Sequence, residues 1–290
     1  MMNRVFVSVV IPSFNREQTI KRAIESVLHQ TYDYLEVIVV DDCSNDNTEQ
    51  VVKSINDSRV RYIKLETNSG ACVARNVGVE NSRGTIIAFQ DSDDCWKTNK
   101  LEVQLEYMER NNLDFCSTAF TKITPSQKID MATTAIPKEK SLIWCELLNH
   151  NWVSTQTIIC KKECFNKIHF DPTIRRYQDW DLALQASIHF TMGHMCESTV
   201  DVFLQSDSIT NTVKNDEAMI AVIEKHFDDV STRVMLAQYY KSLADVQRNR
   251  NIFLAAKNYR NSFFMQPKIK TIVCYVLCVT GLIKLYKNRQ

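Results

Sequence analysis

Two apolar, β-branched runs that each break off in carboxylates constrain this chain more than any other feature. Leu35–Val40 is followed at once by Asp41 and Asp42, and Thr85–Phe89 by Gln90-Asp91-Ser92-Asp93-Asp94. Short, nearly continuous apolar runs of this kind read as strands covered on both faces, the pattern of a parallel sheet. The acids then sit just past the carboxyl ends of strands, where an open α/β sheet binds its ligands. Carboxylates gathered there repel one another unless a cation or a donor-rich ligand joins them. Mg²⁺ or Mn²⁺ fits, because such ions take one or two carboxylates together with substrate phosphates. The competing reading of either cluster taken singly is a solvated acidic turn.

The rest of the first half repeats the same strand–helix unit. Val5–Pro12 reads as a strand. A helical pattern follows at Ile20, Ala23, Ile24, Val27 and Leu28, with Asn15 and Gln18 spaced like a capping box. Asn47–Ile55 reads as a short helix, Arg59–Leu65 as a strand and Ala71–Asn81 as a helix, with Gly84 in the place of a C′ glycine. Thr85–Asp91 is the fourth strand. Leu101, Leu105 and Met108 mark a helix, and Leu113–Ile123 a further strand. The alternation predicts a doubly wound, mostly parallel sheet. Thr124–Lys140 is polar and is expected to be a loop. Ser141–Asn149 reads as helix, Thr155–Cys160 as a short strand, Tyr177–Phe190 as helix and Thr199–Leu204 as a last strand. Everything from Asp216 onward reads as helix.

Composition narrows the function. No G-x-G-x-x-G follows the first strand and no Walker A motif is present, which argues against dinucleotide and P-loop sites. With five glycines in 290 residues, no Gly-rich loop can cradle phosphates, so a metal has to take that task. The ten cysteines lie mostly inside apolar runs, where free Cys behaves as a small hydrophobe. Met1–Arg4 runs straight into a strand pattern without a cleavage site. Both points suggest a reduced, cytoplasmic compartment. Cys160, Cys164, His189 and His194 have a loosely zinc-like spacing, but no Cys-x-x-Cys is present and the gap between the pairs is too long for a small finger.

Five blocks in order resemble the family 2 glycosyltransferases, which have the GT-A fold of nucleotide-diphospho-sugar transferases. They are Ser8-Val9-Val10-Ile11-Pro12-Ser13-Phe14-Asn15-Arg16; Val39-Val40-Asp41-Asp42-Cys43-Ser44, with Cys43 in place of the usual Gly; Asn68-Ser69-Gly70 with Ala74-Arg75-Asn76; Phe89 through Trp96; and Phe170-Asp171-Pro172 with Gln178-Asp179-Trp180-Asp181, where the family usually has Glu-Asp. The resemblance spans roughly residues 5–210. It implies a catalytic domain over residues 1–215, with a nucleotide-sugar half to about 124 and an acceptor half from about 125. A helical C-terminal region follows over 216–290.

The resemblance also implies roles. Asp42 would accept the N–H of the nucleotide base, with Pro12, Phe14 and Glu17 edging the same pocket. Arg75 would approach the diphosphate or the acid cluster, a structural counter-ion to Asp41 being its alternative. Asp91, Asp93 and Asp94 would bind ribose and metal, with Asp93 in direct metal contact. Family 2 enzymes invert the anomeric centre, and the Asp of their Glu-Asp pair is the base, here Asp179. Gln178 cannot titrate, so Asp179 lacks its usual acidic neighbour, and Asp181 is the fallback. The implied donor is a nucleotide sugar, above all a UDP-sugar. The implied acceptor is a glycan or a lipid-linked sugar of the cell surface. Two rivals are a sugar-nucleotidyltransferase, which would need a Gly-rich loop where Pro12-Ser13-Phe14-Asn15 stands, and a GT-A scaffold that has lost catalysis.

The net charge of +1 hides an asymmetry. Residues 231–290 carry eleven Lys/Arg and one acid, Asp245, a net +10, which leaves −9 for the rest. Thr271–Ile283 has no charge and is flanked by Lys268, Lys270, Lys284 and Lys287. At thirteen residues it is too short to span a bilayer, which takes about 20. It suits an interfacial helix on an anionic leaflet at the cytoplasmic face of the membrane; a helix packed on the domain or in a homo-oligomer is the alternative. No nucleic-acid recognition motif accompanies the basic residues.

Overall fold

The structure, a computed structural model, describes residues 4–131, 139–203 and 215–282. Strands β1 (Val7–Ser13), β2 (Leu35–Asp41), β3 (Val60–Lys64) and β4 (Ile86–Phe89) pair in parallel in the order β3-β2-β1-β4. All of β1, β2 and β4 is buried, as their unbroken apolar runs require. Alternate side chains serve opposite faces. Val7, Val9, Ile11, Val37 and Val39 pack with Ile20, Ile24 and Val27 of α1 (Ile20–Leu28). Val10, Ile87 and Phe89 pack with Cys72 and Val79 of α3 (Ala71–Glu80), and α2 (Thr48–Lys53) joins β2 to β3. The register sets Ser13 beside Asp41 and Val10 beside Phe89, so the residues after β1, β2 and β4 emerge at one sheet edge.

Beyond β4 the sheet is mixed. Strand β8 (Ile159–Lys161) runs antiparallel between β4 and β6 (Phe115–Ile123), β6 pairs in parallel with β9 (Met192–Phe203), and the short β5 (Cys95–Trp96) closes on β9. Helix α4 (Lys100–Arg110) connects β5 to β6. The parallel expectation thus holds for β1–β4. The expected loop at 124–140 contains a strand, β7 (Lys128–Met131), antiparallel to β6. It is almost wholly exposed, so no apolar alternation betrayed it; residues 132–138 lie outside the described residues. Strand β9 begins seven residues before the expected Thr199 and bulges against β6 between Thr118 and Thr121, while Leu204 lies outside the described residues.

Two cap expectations fail for identifiable reasons. Asn15 does not cap α1, whose N-cap is Thr19 without a side-chain bond. It sits instead at φ 52°, a region Asn tolerates, and its Oδ1 accepts from Asn45 N at 2.9 Å, tying two ligand-edge loops together. Helix α3 ends before Gly84, with Asn81 as its C-cap. Gly84 is required by close approach: a Cβ there would lie 2.6 Å from both Phe6 O and Ser8 N. Those are backbone atoms and cannot swing aside, so Gly84→Ala should lower stability by about 1–3 kcal/mol, the scale of an overpacked core. A urea midpoint unchanged from wild type would refute this.

Helices α5 (Lys140–Asn149), α6 (Gln178–His189), α7 (Asn215–Lys225) and α8 (Arg233–Gln247) pack below the mixed half. Trp144, Trp180, Leu184, Val222, Ile223, Met235 and Leu243 share one core, so α7 and α8 belong to the catalytic body despite the division drawn at 216. Helices α9 (Ile252–Met265) and α10 (Ile269–Val279) attach through a satellite cluster of Ala244, Ala255, Tyr259, Cys274 and Cys278. No helix among the described residues is long and apolar enough to cross a membrane.

Candidate active site

A cleft of about 870 Å³ opens at the carboxyl ends of β1, β2 and β4. Pro12, Phe14, Asp42, Arg75, Asp91, Asp93, Asp94, Gln178 and Asp179 all line it, which brings together residues up to 167 positions apart in the chain.

The two acids after β2 divide their work. Asp41 is wholly buried; it accepts from Ser44 N at 3.1 Å and from the Ser44 and Tyr62 hydroxyls. Those bonds shape the turn in which Cys43 takes φ 65°, a conformation that costs a non-glycine residue strain. Asp42 faces the cleft, each oxygen held by one backbone N–H, from Ser69 at 2.6 Å and Gly70 at 2.7 Å. A carboxylate oxygen has further acceptor capacity, so Asp42 is oriented without being saturated. Glu17, expected at the pocket edge, does not line the cleft. Its Oε2 accepts from Asn47 N at 3.0 Å and Asn47 Nδ2 at 2.8 Å, bonds that hold its carboxyl below the usual range.

Arg75 joins the two halves of the cleft. Its Nη2 donates to Asp91 Oδ1 at 2.9 Å and its Nη1 to Gln178 Oε1 at 2.8 Å, over the Phe170 ring. It pairs with Asp91, and the counter-ion role toward Asp41 is not what the geometry has. Because Gln178 is neutral, Arg75 faces one carboxylate here where a Glu-Asp pair would offer more.

The acids after β4 are not equivalent. Asp91 and Asp93 stand at the cleft wall. Asp93's carbonyl accepts from the Arg22 guanidinium, which stacks 3.9 Å over Phe203. Asp94 is almost fully buried, with Oδ1 accepting from Phe203 N at 2.9 Å and Oδ2 from Gln156 Nε2 at 2.8 Å. Burial, then the charges of Asp91 and Asp93, push its carboxyl up to about 9. Among the described residues no three His, Cys, Asp or Glu side chains form a ready-made metal cage. Asp91 and Asp93 present hard oxygens of the kind that a divalent ion shared with a diphosphate would need. Asp94, expected as a third ligand, braces the wall through its two engaged oxygens.

Asp179 opens α6. Its Oδ1 accepts from Trp180 N at 2.7 Å and more weakly from Asn151 Nδ2 at 3.4 Å. Burial raises its carboxyl to about 6, with the Asp91 charge adding to the rise and the Trp180 N–H and Arg75 opposing it. Asp181, two residues on, has no exposed surface and does not line the cleft. It receives Lys225 Nζ at 2.8 Å and Gln185 Nε2 at 2.9 Å and pairs with His226 Nε2 at 2.9 Å, locking α6 to α7.

Sequence reasoning passed over Arg175, Arg176 and Tyr177, which also wall the cleft. Tyr177, at φ 66°, turns the chain into α6 and so sets the approach of Asp179. The signal was present: two adjacent arginines, one residue before the Gln178-Asp179 pair, are cations of the kind an anionic ligand would need.

The family model for glycosyl transferase family 2 matches residues 8–175. TuaG of Bacillus subtilis, named for teichuronic acid biosynthesis, is 35% identical over 214 residues, 71% of this chain and 81% of its own. The Escherichia coli protein WfgD, a UDP-Glc:α-D-GlcNAc-diphosphoundecaprenol β-1,3-glucosyltransferase, is 46% identical over 114 residues, 39% of this chain; the match spans only 45% of WfgD. Staphylococcus aureus TarS 1–349, crystallised with UDP-GlcNAc, superposes with a TM-score of 0.65 over 96% of this chain and 80% of its own, at 20% identity, which speaks to the GT-A fold alone. With the strand-end acids, the cleft and the family model in agreement, this chain belongs to glycosyl transferase family 2.

Proposed function

We propose that this glycosyltransferase moves a sugar, with inversion, from a UDP-sugar to a lipid-linked or glycan acceptor in cell-surface polysaccharide assembly. The observation that carries the reading is one cleft presenting Asp42, Asp91, Asp93, Arg75 and Asp179 together. Relatives named for teichuronic acid biosynthesis and for transfer from UDP-Glc to a diphosphoundecaprenol-linked sugar support the substrate classes.

In this reading Asp42 accepts the uracil N3–H, since a carboxylate can only accept and uracil offers a donor there. Asp91 and Asp93 would hold the ribose and a Mn²⁺ or Mg²⁺ ion, which when bound would offset charge on the departing UDP. Arg75, Arg175 and Arg176 add fixed positive charge at the same end of the cleft. Asp179 takes the proton of the acceptor hydroxyl as its oxygen bonds to the anomeric carbon. The bond from that carbon to the diphosphate breaks, and its electron pair leaves on UDP. A base held near 6 is ionised at neutral pH yet still basic enough to take a developing proton. The test is a panel of nucleotide sugars with Mn²⁺: hydrolysis or transfer should favour UDP-sugars, and equal use of CDP-sugars, whose base has no N3–H, would count against the Asp42 assignment.

The same proposal places the enzyme peripherally at an anionic membrane surface. The outward side of α9 reads Phe253, Lys257, Arg260, Phe264, all exposed and spaced for one helix face. Along α10, Ile269, Val273, Val276 and Val279 are exposed as well. Aromatic and aliphatic groups flanked by basic ones suit the interface. Lys284 and Lys287 lie outside the described residues. The full chain should float with vesicles containing anionic lipid and release in high salt. Flotation with neither neutral nor anionic vesicles would make this surface a packing or dimer element.

A further inference from the structure

The hairpin of β6 and β7 gives the cleft a wall that the donor chemistry leaves unused. Its register sets Phe120 opposite Met131 and Lys122 opposite Ile129. Residues opposite one another in an antiparallel pair share a face. Phe120 and Lys122 line the cleft together with Val202 of β9, the register partner of Lys122. Ile129 and Met131 continue that face beyond the cleft, and Ile129 is 38% exposed. The other face is polar: Thr121 Oγ1 donates to Asp130 Oδ1 at 2.6 Å and lies 2.7 Å from Ser198 Oγ. The hairpin's acid is thereby turned away from the cleft. Of the four residues on the cleft-side face only Lys122 is charged, and among the described residues its side chain has no hydrogen bond or ion pair. We infer that this ledge binds the acceptor, and that the acceptor is a sugar carried on a lipid diphosphate.

Position assigns the ledge to the acceptor. The sheet order β2-β1-β4-β8-β6 puts Lys122 on the far side of the acids after β4 from Asp42. A UDP-sugar held at Asp42 by its base and at Asp91 and Asp93 by its ribose and diphosphate would leave the β6 side open. Chemistry assigns the class. A lone ammonium among apolar side chains suits a ligand that is anionic and apolar at once. A neutral glycan would leave the charge unpaired, and a soluble phosphate would gain nothing from Ile129 and Met131. The inference rests on the glycosyltransferase reading above and narrows its acceptor.

The experiment titrates undecyl diphosphate, methyl diphosphate and undecyl glucoside, each below its micellar concentration, into the full chain kept saturated with UDP. Undecyl diphosphate should bind about tenfold or more tighter than either of the others, the scale of one charge-assisted hydrogen bond against the glucoside and of a buried alkyl chain against the methyl ester. Lys122→Gln should remove the advantage over undecyl glucoside, and Lys122→Arg should keep it. Ile129→Ser should reduce the advantage over methyl diphosphate severalfold. Lys128→Gln, on the opposite face of the hairpin, and Lys257→Gln, on α9, should change neither. Every variant should keep the wild-type affinity for UDP, which reports a folded cleft. Equal binding of undecyl diphosphate and undecyl glucoside would overturn the ledge, and so would a Lys122→Gln protein that binds like wild type. A loss in Lys257→Gln as large as in Lys122→Gln would move the lipid to α9, and undecyl diphosphate that binds only where UDP is absent would move it to the donor site; either result overturns the inference. A wild-type chain that binds no UDP would end the donor reading and this inference with it.

Discussion

Asp179→Asn should leave UDP binding intact and reduce sugar transfer by about 10² or more, the usual scale for losing a general base. The substitution keeps the shape of the side chain and its bond from Trp180 N, and removes only the capacity to take a proton. Wild-type transfer should also rise with pH and level off above about 6, because burial raises the Asp179 carboxyl to that value and the ionised form is the active one. That limb should vanish in the variant. Asp181→Asn should behave differently. Asp181 sits under Lys225 and His226 with no exposed surface, and weakening a buried partner of two cationic groups acts on stability, by up to about 3–5 kcal/mol, and far less on turnover of the protein that remains folded. An active Asp179→Asn enzyme alongside a folded, dead Asp181→Asn enzyme would reverse the assignment.

Asp93→Ala should remove nearly all transfer and weaken UDP binding in the presence of Mn²⁺, and EDTA should do the same to wild type. Asp94→Asn should be milder toward metal, since its oxygens serve Gln156 and Phe203 N. An asparagine keeps one of the two acceptor oxygens, so the variant loses one bond, to Gln156 Nε2 or to Phe203 N, and should loosen that wall of the cleft instead. Titration calorimetry of UDP with and without Mn²⁺ separates the two. Full activity in EDTA would remove the ion from the account, and so would an unimpaired Asp93→Ala enzyme.

The parallel half of the fold was readable because β1, β2 and β4 are unbroken apolar runs whose burial leaves no other assignment, and because the acids follow them directly. Strand β7 was not, because three of its four residues are exposed and its order comes from pairing with β6. The left-handed turn at Asn15 was misread as a cap because the same residue type serves both ends, and only its contact with Asn45 distinguishes them. Within the site, residue identities were legible while their partners were not. Nothing local says that Arg75 reaches Gln178 across 103 positions. Nor could the sequence separate Asp179 from Asp181: both are acids in the first turn of α6, and the choice depends on Lys225 and His226 arriving from another helix. Glu17, next after the first block, was placed at the pocket by the resemblance, and the structure turns it toward Asn47.

The most direct test of the central claim is the anomeric configuration of the product formed from an α-linked UDP-sugar and a lipid-linked or glycan acceptor, read from the one-bond C–H coupling in the nuclear magnetic resonance spectrum. In-line attack with Asp179 as base predicts a β-linked product, formed by wild type and lost in Asp179→Asn; an α-linked product, or transfer that survives without the Asp179 carboxylate, would contradict it.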